Sequence, residues 1–402
     1  MIRHLLLIPV VCITVWMVIV SVGLHRAPQV GSADELDDLR AQLRYLEPRM
    51  HDDLGARMQR LFPEGEVFAD VLYGLAWCGL AERTSGADSL RPHALREARW
   101  ALARMERPHV QAPFASPDGL PYGVFYHGWR DLLIGAIVRL DPGDTILRRR
   151  WDVESEALAR AFAHSPAPFL PSYPGVAWPA DNVVAMAGLS VHDRSHAGAY
   201  RDVIDRWVSQ VRVRSGPYGS LPHAWDPQGD TLVQASRGCS QALICALLPA
   251  IDEGLAAEQY ELFRARFLDE RLGVPMVREH VKGTWGPVDV DSGPVLLGAG
   301  SSATVVGAAA CRANGDVFHA QELDATCEGF GLAMGTRAKR YLLGALPVTD
   351  LFIAWSRSFP EEAEVRTRPG FLRAHAWSVL MLSLLWAPWW WPARRVRIGR
   401  GR

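Results

Sequence analysis

The sequence has no C-x-x-C pair, no G-x-S-x-G elbow and no H-E-x-x-H helix. It therefore lacks the signatures of a zinc knuckle, an α/β-hydrolase nucleophile and a zincin site. Its six cysteines (Cys12, Cys78, Cys239, Cys245, Cys311, Cys327) are scattered, and the five beyond Cys12 read as small core residues rather than a disulfide framework. Strand alternation is scarce. Only Gly273 to Lys282 (GVPMVREHVK) alternates loosely, which predicts a short hairpin or an excursion from a helical body. Gly298, Gly300 and Ala303 fit G-x-G-x-x-A without a βαβ context, so no dinucleotide site is expected. His192 and His196 have ligand spacing in HDRSH, but the glutamate of the zincin motif is missing. No metal and no cofactor are predicted. A basic stripe is absent too: residues 27 to 372 hold 35 Lys and Arg against all 44 Asp and Glu, a net −9, which argues against nucleic-acid binding.

What is present first is apolar length at both ends. Leu5 to Leu24 (LLLIPVVCITVWMVIVSVGL) is uncharged over twenty residues, enough for a bilayer core of roughly 30 Å. A cleaved signal peptide is the alternative, but its apolar stretch is usually about 7 to 15 residues, and Ser21-Val22-Gly23 is a poor cleavage site. Ala376 to Pro392 (AWSVLMLSLLWAPWWWP) is rich in tryptophan and followed by Arg394, Arg395, Arg397, Arg400 and Arg402. Tryptophan beside a basic tail marks a bilayer interface, either spanned or lain upon. If both segments span, the basic ends place the termini in the cytoplasm, with the body outside it and anchored to the inner membrane.

Between the ends runs a rhythm. Small-residue apolar runs begin near Phe68, His127, Asp181, Ala235, Asp291 and Val348, spaced 59, 54, 54, 56 and 57 residues apart. Amphipathic stretches such as TILRRRWDVESEALARAF and GAYRDVIDRWVSQV lie between most of them. An inner small-residue helix paired with an outer amphipathic one, six times over, predicts an all-α (α/α)6 toroid with an open solenoid as rival. The expected divisions are an anchor over 1–26, a linker and leading helix over 27–62, the toroid over 63–370 and a membrane segment with basic tail over 371–402.

In such a ring, the loops before the inner helices converge on a funnel. They carry Tyr126, His127 and Trp129; Ser172, Tyr173, Trp178 and Asp181; His223, Asp226 and Arg237; and Asp289 and Asp291. Aromatic walls with carboxylates suit a polyol, sugar or unsaturated alcohol. Asp181 is the expected principal acid/base, with Asp289 and Asp291 as partners and the other nine residues shaping the pocket. Asp181 and Asp291 also read as helix N-caps.

Two of these segments resemble a family. FYHGWRDLLIGA is similar to M-Y-K-G-H-L-N-L of bacterial linalool dehydratase/isomerase, and SYPGVAWPADN to its C-E-P-N-N-Y-F-P-Q-C-N, with Pro174, Pro179 and Asn182 identical. The resemblance implies an (α/α)6 fold and cofactor-independent chemistry on isoprenoid alcohols, carried out by an acid/base group and a cysteine pair. The family's Met and His fall on Phe125 and Trp129, and its two cysteines on Ser172 and Asp181, so none of those side chains is retained. The expectation is a membrane-anchored lyase or isomerase acting on an alcohol or polyol. A six-hairpin carbohydrate-active enzyme and a non-catalytic glycan- or lipid-binding envelope protein are the alternatives.

Overall fold

The computed structural model of the chain describes residues 7–84, 90–116, 119–360 and 369–390. They are mostly helical. Helices α1 (Leu7–Gly23) and α2 (Ala33–His51) come first, followed by α3 (Gly65–Arg83), α4 (Leu90–Met105), α5 (Gly123–Leu140), α6 (Thr145–His164), α7 (Pro179–Ser195) and α8 (Arg201–Arg212). Then come α9 (Gly238–Leu247), α10 (Glu253–Arg266), α11 (Ser301–Ala313), α12 (Val317–Phe330), α13 (Pro347–Arg357) and α14 (Leu372–Trp390).

The six small-residue runs are all helices, the odd-numbered ones from α3 to α13. Small side chains let them bury nearly every face, as Gly65 to Ala81 of α3 do. Gly128 of α5 stands so close to α7 that a Cβ there would lie 2.9 Å from the backbone of Ala185. Each packs on the next in chain order, and α13 packs back on α3. Helices α4, α6, α8, α10 and α12 flank them, while α2 packs on both α3 and α13. Most of these flanking helices bury one stripe, although α12 is buried nearly all round from Leu323 to Gly329. In α6 that stripe is Leu147, Trp151, Glu154, Ser155, Leu158, Ala159 and Phe162, a spacing of three and four. Their starts are fixed by caps: Asp144 accepts from the Leu147 N–H at 2.9 Å, and Asp252 from the Leu255 N–H at 2.7 Å.

Two runs begin helically later than their composition suggests. The fifth enters a helix at Ser301 and not at Asp291, because Gly293, Pro294 and Gly298 break it and Val295–Leu296 (β5) pairs with Ala299–Gly300 (β6). Ahead of α9, Ala224–Asp226 (β1) pairs with Thr231–Gln234 (β2). The alternating segment forms the hairpin of Leu268–Arg271 (β3) and Val274–Val277 (β4), and the chain then carries Glu279 toward the start of α9.

A buried charge network joins the first flanking helix to the last elements. Arg83 and Arg312 meet Glu35 at 2.7 and 2.6 Å, Lys339 meets Asp38 at 2.6 Å, and Arg357 meets Glu328 at 2.7 Å. Desolvation offsets most of the Coulomb gain in such a network, but deleting one member strands its partner.

The expected membrane segments are helices where they are described, yet no helix of the described residues is long and apolar enough to cross a membrane. Helix α1 has 17 residues, about 26 Å at ~1.5 Å per residue. Leu5 and Leu6 lie outside the described residues, as do the final residues from 391 and their arginines. Helix α14 carries Arg373 and His375 in its first turn and Pro388 near its end. The two helices run antiparallel and touch, with Trp386 donating to Thr14 at 2.9 Å and His25 meeting His375 at 2.8 Å.

Candidate functional site

The loops leading into α3, α5, α7, α9 and α11 are laced together. Val124 N–H donates to Pro171, Trp225 and Ala177 exchange backbone bonds, and Gly238 N–H donates to Glu279 at 2.8 Å. Tyr173 O–H adds a side-chain tie to Glu64, the residue just before α3, at 2.7 Å. Helix N-termini carrying partial positive charge therefore share this rim with a set of acids.

Arg237, the residue before α9, is the organising cation and is 2 % exposed. Its Nε donates to Glu279 at 2.8 Å, and its two terminal nitrogens reach Asp289, Ser292 and, at 3.4 Å, Nε2 of His223. All five of its N–H groups thus have acceptors inside the protein, leaving none for an anionic substrate. Burial, reinforced by Arg237, pushes His223 down to about 3. Its Nε2 faces a donor, so its proton lies on Nδ1, directed at the hydroxyl of Ser240.

The acids divide by environment. Burial alone would raise Asp289, but the Arg237 guanidinium outweighs it and holds the carboxyl at about 2. Asp289 also accepts from the backbone of Asp291 at 3.1 Å and of Ser292 at 3.3 Å, fixing the loop. Asp291 is exposed as a residue, yet its carboxyl is partly desolvated. That desolvation, with repulsion from Asp289 and Glu64, pushes it up to about 6. Asp181 sits in the first turn of α7, where Trp178 and not Asp181 is the cap residue. Burial, with repulsion from Glu64 and Asp291 and despite a hydrogen bond from Ser172, pushes Asp181 up to about 8. Asp181, Asp291 and Glu64 therefore lie within electrostatic reach of one another. Neither Asp181 nor Asp291 caps a helix; Asp291 stands ten residues before α11.

Trp178 walls this cluster, its ring 4.9 Å from that of His223 and its Nε1 donating to Tyr173 at 3.2 Å. Ser172 accepts from the Trp178 N–H at 3.0 Å. Asn182 clamps the loop below by bonding both backbone groups of Leu170, at 2.7 and 3.0 Å.

Four sequence-selected residues stand elsewhere. His127 is buried and paired with Glu154 of α6, which Arg130 also grips. Tyr126 donates to Met105 and accepts from Gln111. Trp129 packs against Phe68 and Trp355, aromatics of α3 and α13. Asp226 stabilises the β1–β2 turn through the Gln228 N–H at 2.9 Å. Glu64 and Glu279 were missed. Glu64 carries the same signal as the others, a carboxylate just before a small-residue helix, whereas Glu279 lies in the alternating segment.

His223, Asp289 and Asp291 offer donor atoms within 4.8 Å of one another, a spacing a divalent ion could bridge, although Arg237 already supplies positive charge to His223 and Asp289. The thiol of Cys239 donates to Glu279 at 3.1 Å, and burial beside that acid raises it well above the usual range, which leaves it un-ionised and a poor nucleophile. Compared with known proteins, the chain matches no family model and no curated protein, so what it does has to be read from these side chains.

Proposed function

We propose that the chain is a cofactor-independent acid/base enzyme of the lyase or isomerase type, acting on an isoprenoid-like alcohol or a polyol at this rim. One observation carries the reading: two carboxyls within electrostatic reach, Asp181 at about 8 and Asp291 at about 6, beside an Asp289 held at about 2. Environments that push neighbouring acids apart separate a proton donor from an acceptor. At neutral pH Asp181 keeps its proton and Asp291 is largely ionised. In a dehydration, Asp181 protonates the departing hydroxyl, which leaves as water when the C–O bond breaks. Asp291 takes a proton from the adjacent carbon as the double bond forms. Asp289 then positions Arg237 and the loop and does not itself exchange protons. With Arg237 saturated and the other rim charges negative, a neutral substrate fits better than a uronic acid or a phosphate ester.

The circuit of six buried helices, each with an amphipathic neighbour, supports an (α/α)6 toroid, the architecture implied by the likeness to linalool dehydratase/isomerase. The clamp made by Asn182 gives that shared position a structural reason. We also infer membrane attachment through the antiparallel pair α1 and α14. Apolar side chains such as Ile8, at 66 % exposure, and Leu384, at 67 %, point away from the body on both helices, an area that water disfavours. If both terminal segments span, their arginines place the body on the outer side of the inner membrane.

A neutral glycoside is the second reading, since a raised and an ionised carboxyl also cleave glycosidic bonds. Incubating the full chain in detergent with unsaturated alcohols and with neutral glycosides, and resolving products by mass spectrometry, separates the two. Product should form from the alcohols and vanish in Asp181→Asn. Undiminished turnover in that variant sinks the assignment, and ligand stabilisation without product in either protein indicates a binding protein instead.

A further inference from the structure

At the far end of α7 from Asp181, two histidines and an acid converge. His192 lies eleven residues beyond Asp181, about 16 Å along the helix at ~1.5 Å per residue, so this cluster is separate from the rim. His196 follows one turn later, just past the helix end. Their rings stack at 3.9 Å with an 8° tilt, and both Nε2 atoms face the same oxygen of Asp152 on α6, at 2.9 and 3.3 Å. The sequence spacing supplied two ligands; the third comes from forty residues upstream, on a different helix, where no motif could show it.

The hydrogen-bond pattern favours an ion. Nδ1 of His196 lies 3.0 Å from the carbonyl of His192, so it donates there, which is the orientation that frees Nε2 of a metal-bound imidazole. Its Nε2, that of His192 and an Asp152 oxygen thus converge on one point, where a cation can take all three. His192 is held by packing, its side chain 4 % exposed and its ring 4.7 Å from Trp151. His196 and Asp152, at 29 % and 46 %, leave the outer side open to an entering ion and a water. We propose that Asp152, His192 and His196 form a site for a divalent transition metal, best suited to Zn²⁺ with two nitrogens, one carboxylate oxygen and a fourth position for water. Bound there, the ion ties α6 to the end of α7 and braces the wall opposite the rim.

The full chain, stripped with chelator, is titrated with Zn²⁺ by calorimetry and with Co²⁺ by visible absorption. One equivalent should bind, with the intense bands of tetrahedral Co²⁺. Asp152→Asn and His196→Ala, both at half-buried positions, should each weaken binding by about tenfold or more, while Asp291→Asn, which alters another His-containing cluster, should leave it unchanged. Absence of stoichiometric binding overturns the site. So does binding that survives both the Asp152 and His196 changes, or that is lost in Asp291→Asn instead.

Discussion

The guanidinium of Arg237 and the carboxylate of Asp289 meet end-on, two terminal nitrogens against two oxygens. This pair fixes one acid of the rim as a permanent anion and leaves Asp181 and Asp291 to exchange protons. Replacing Arg237 by Met should therefore do more than remove a contact, because Glu279 is fully buried and would lose the one guanidinium that pairs with it. A loss on the order of 3 kcal/mol is expected, read as a lower denaturation midpoint. A change within 0.5 kcal/mol, roughly what an ordinary surface substitution gives, would show that Glu279 is held by something else.

Activity should follow a bell-shaped pH profile. Asp291 must be ionised, which sets an acid limb near pH 6, and Asp181 protonated, which sets an alkaline limb near pH 8. Asp291→Asn should cut turnover steeply and remove the acid limb from what remains. A profile flat between pH 5 and 9 would refute the assignment of both acids.

Stability carries the same signature with a definite sign. Asp181 is raised in the folded protein from an ordinary value of 3.8 to about 8, so the native state holds a proton that the unfolded chain has released. Its contribution is complete below pH 4 and declines by about 1.4 kcal/mol per unit as pH rises toward 8. Asp181→Asn should abolish that slope, making the variant the more stable of the two at pH 8. Urea melts at pH 5 and pH 8 give the comparison, and parallel curves for the two proteins would count against the buried acid.

Gly128→Ala tests the helix contact. The added methyl meets the Ala185 backbone at 2.9 Å, and backbone cannot swing aside as a side chain can. Overpacking costs about 1–3 kcal/mol, and alanine's better helix propensity returns up to ~1. The thermal midpoint should fall; a rise would mean that α5 and α7 separate easily.

Removing residues 1–26 together with 371–402 should release the body from membrane pellets into the soluble fraction, whereas the full chain sediments with vesicles. A reporter active only outside the cytoplasm, fused after Ser32, then tests which side the body occupies; a silent but well-expressed fusion places it inside.

The six small-residue helices were legible because burial on every face leaves a compositional trace, and their partners because one wet face leaves a period. The loops were harder. Asp291 reads as the start of a helix since the residues after it are apolar, although Gly293 and Pro294 are turn residues that mark the break. Asp181, Asp289 and Asp291 were chosen as carboxylates near helix starts, and that logic brought them to one rim. It could not divide their roles, because the split depends on Arg237, whose partners Glu279, Asp289 and Ser292 lie 42 to 55 residues away in sequence. His127 illustrates the converse: a motif placed it at the rim, while Glu154, one turn of a neighbouring helix, holds it.

The charge network has a consequence for how the molecule is made. Glu35 waits for Arg312, separated by 277 residues, and Asp38 for Arg357, separated by 319. Contacts of such sequence separation form late and slowly. During synthesis Glu35 meets Arg83 long before Arg312 exists, while Asp38 waits for Lys339 and Arg357, so late segments complete the lock on α2. A chain halted before Lys339 would leave Asp38 without either cation and the flank of α2 that packs on α13 uncovered.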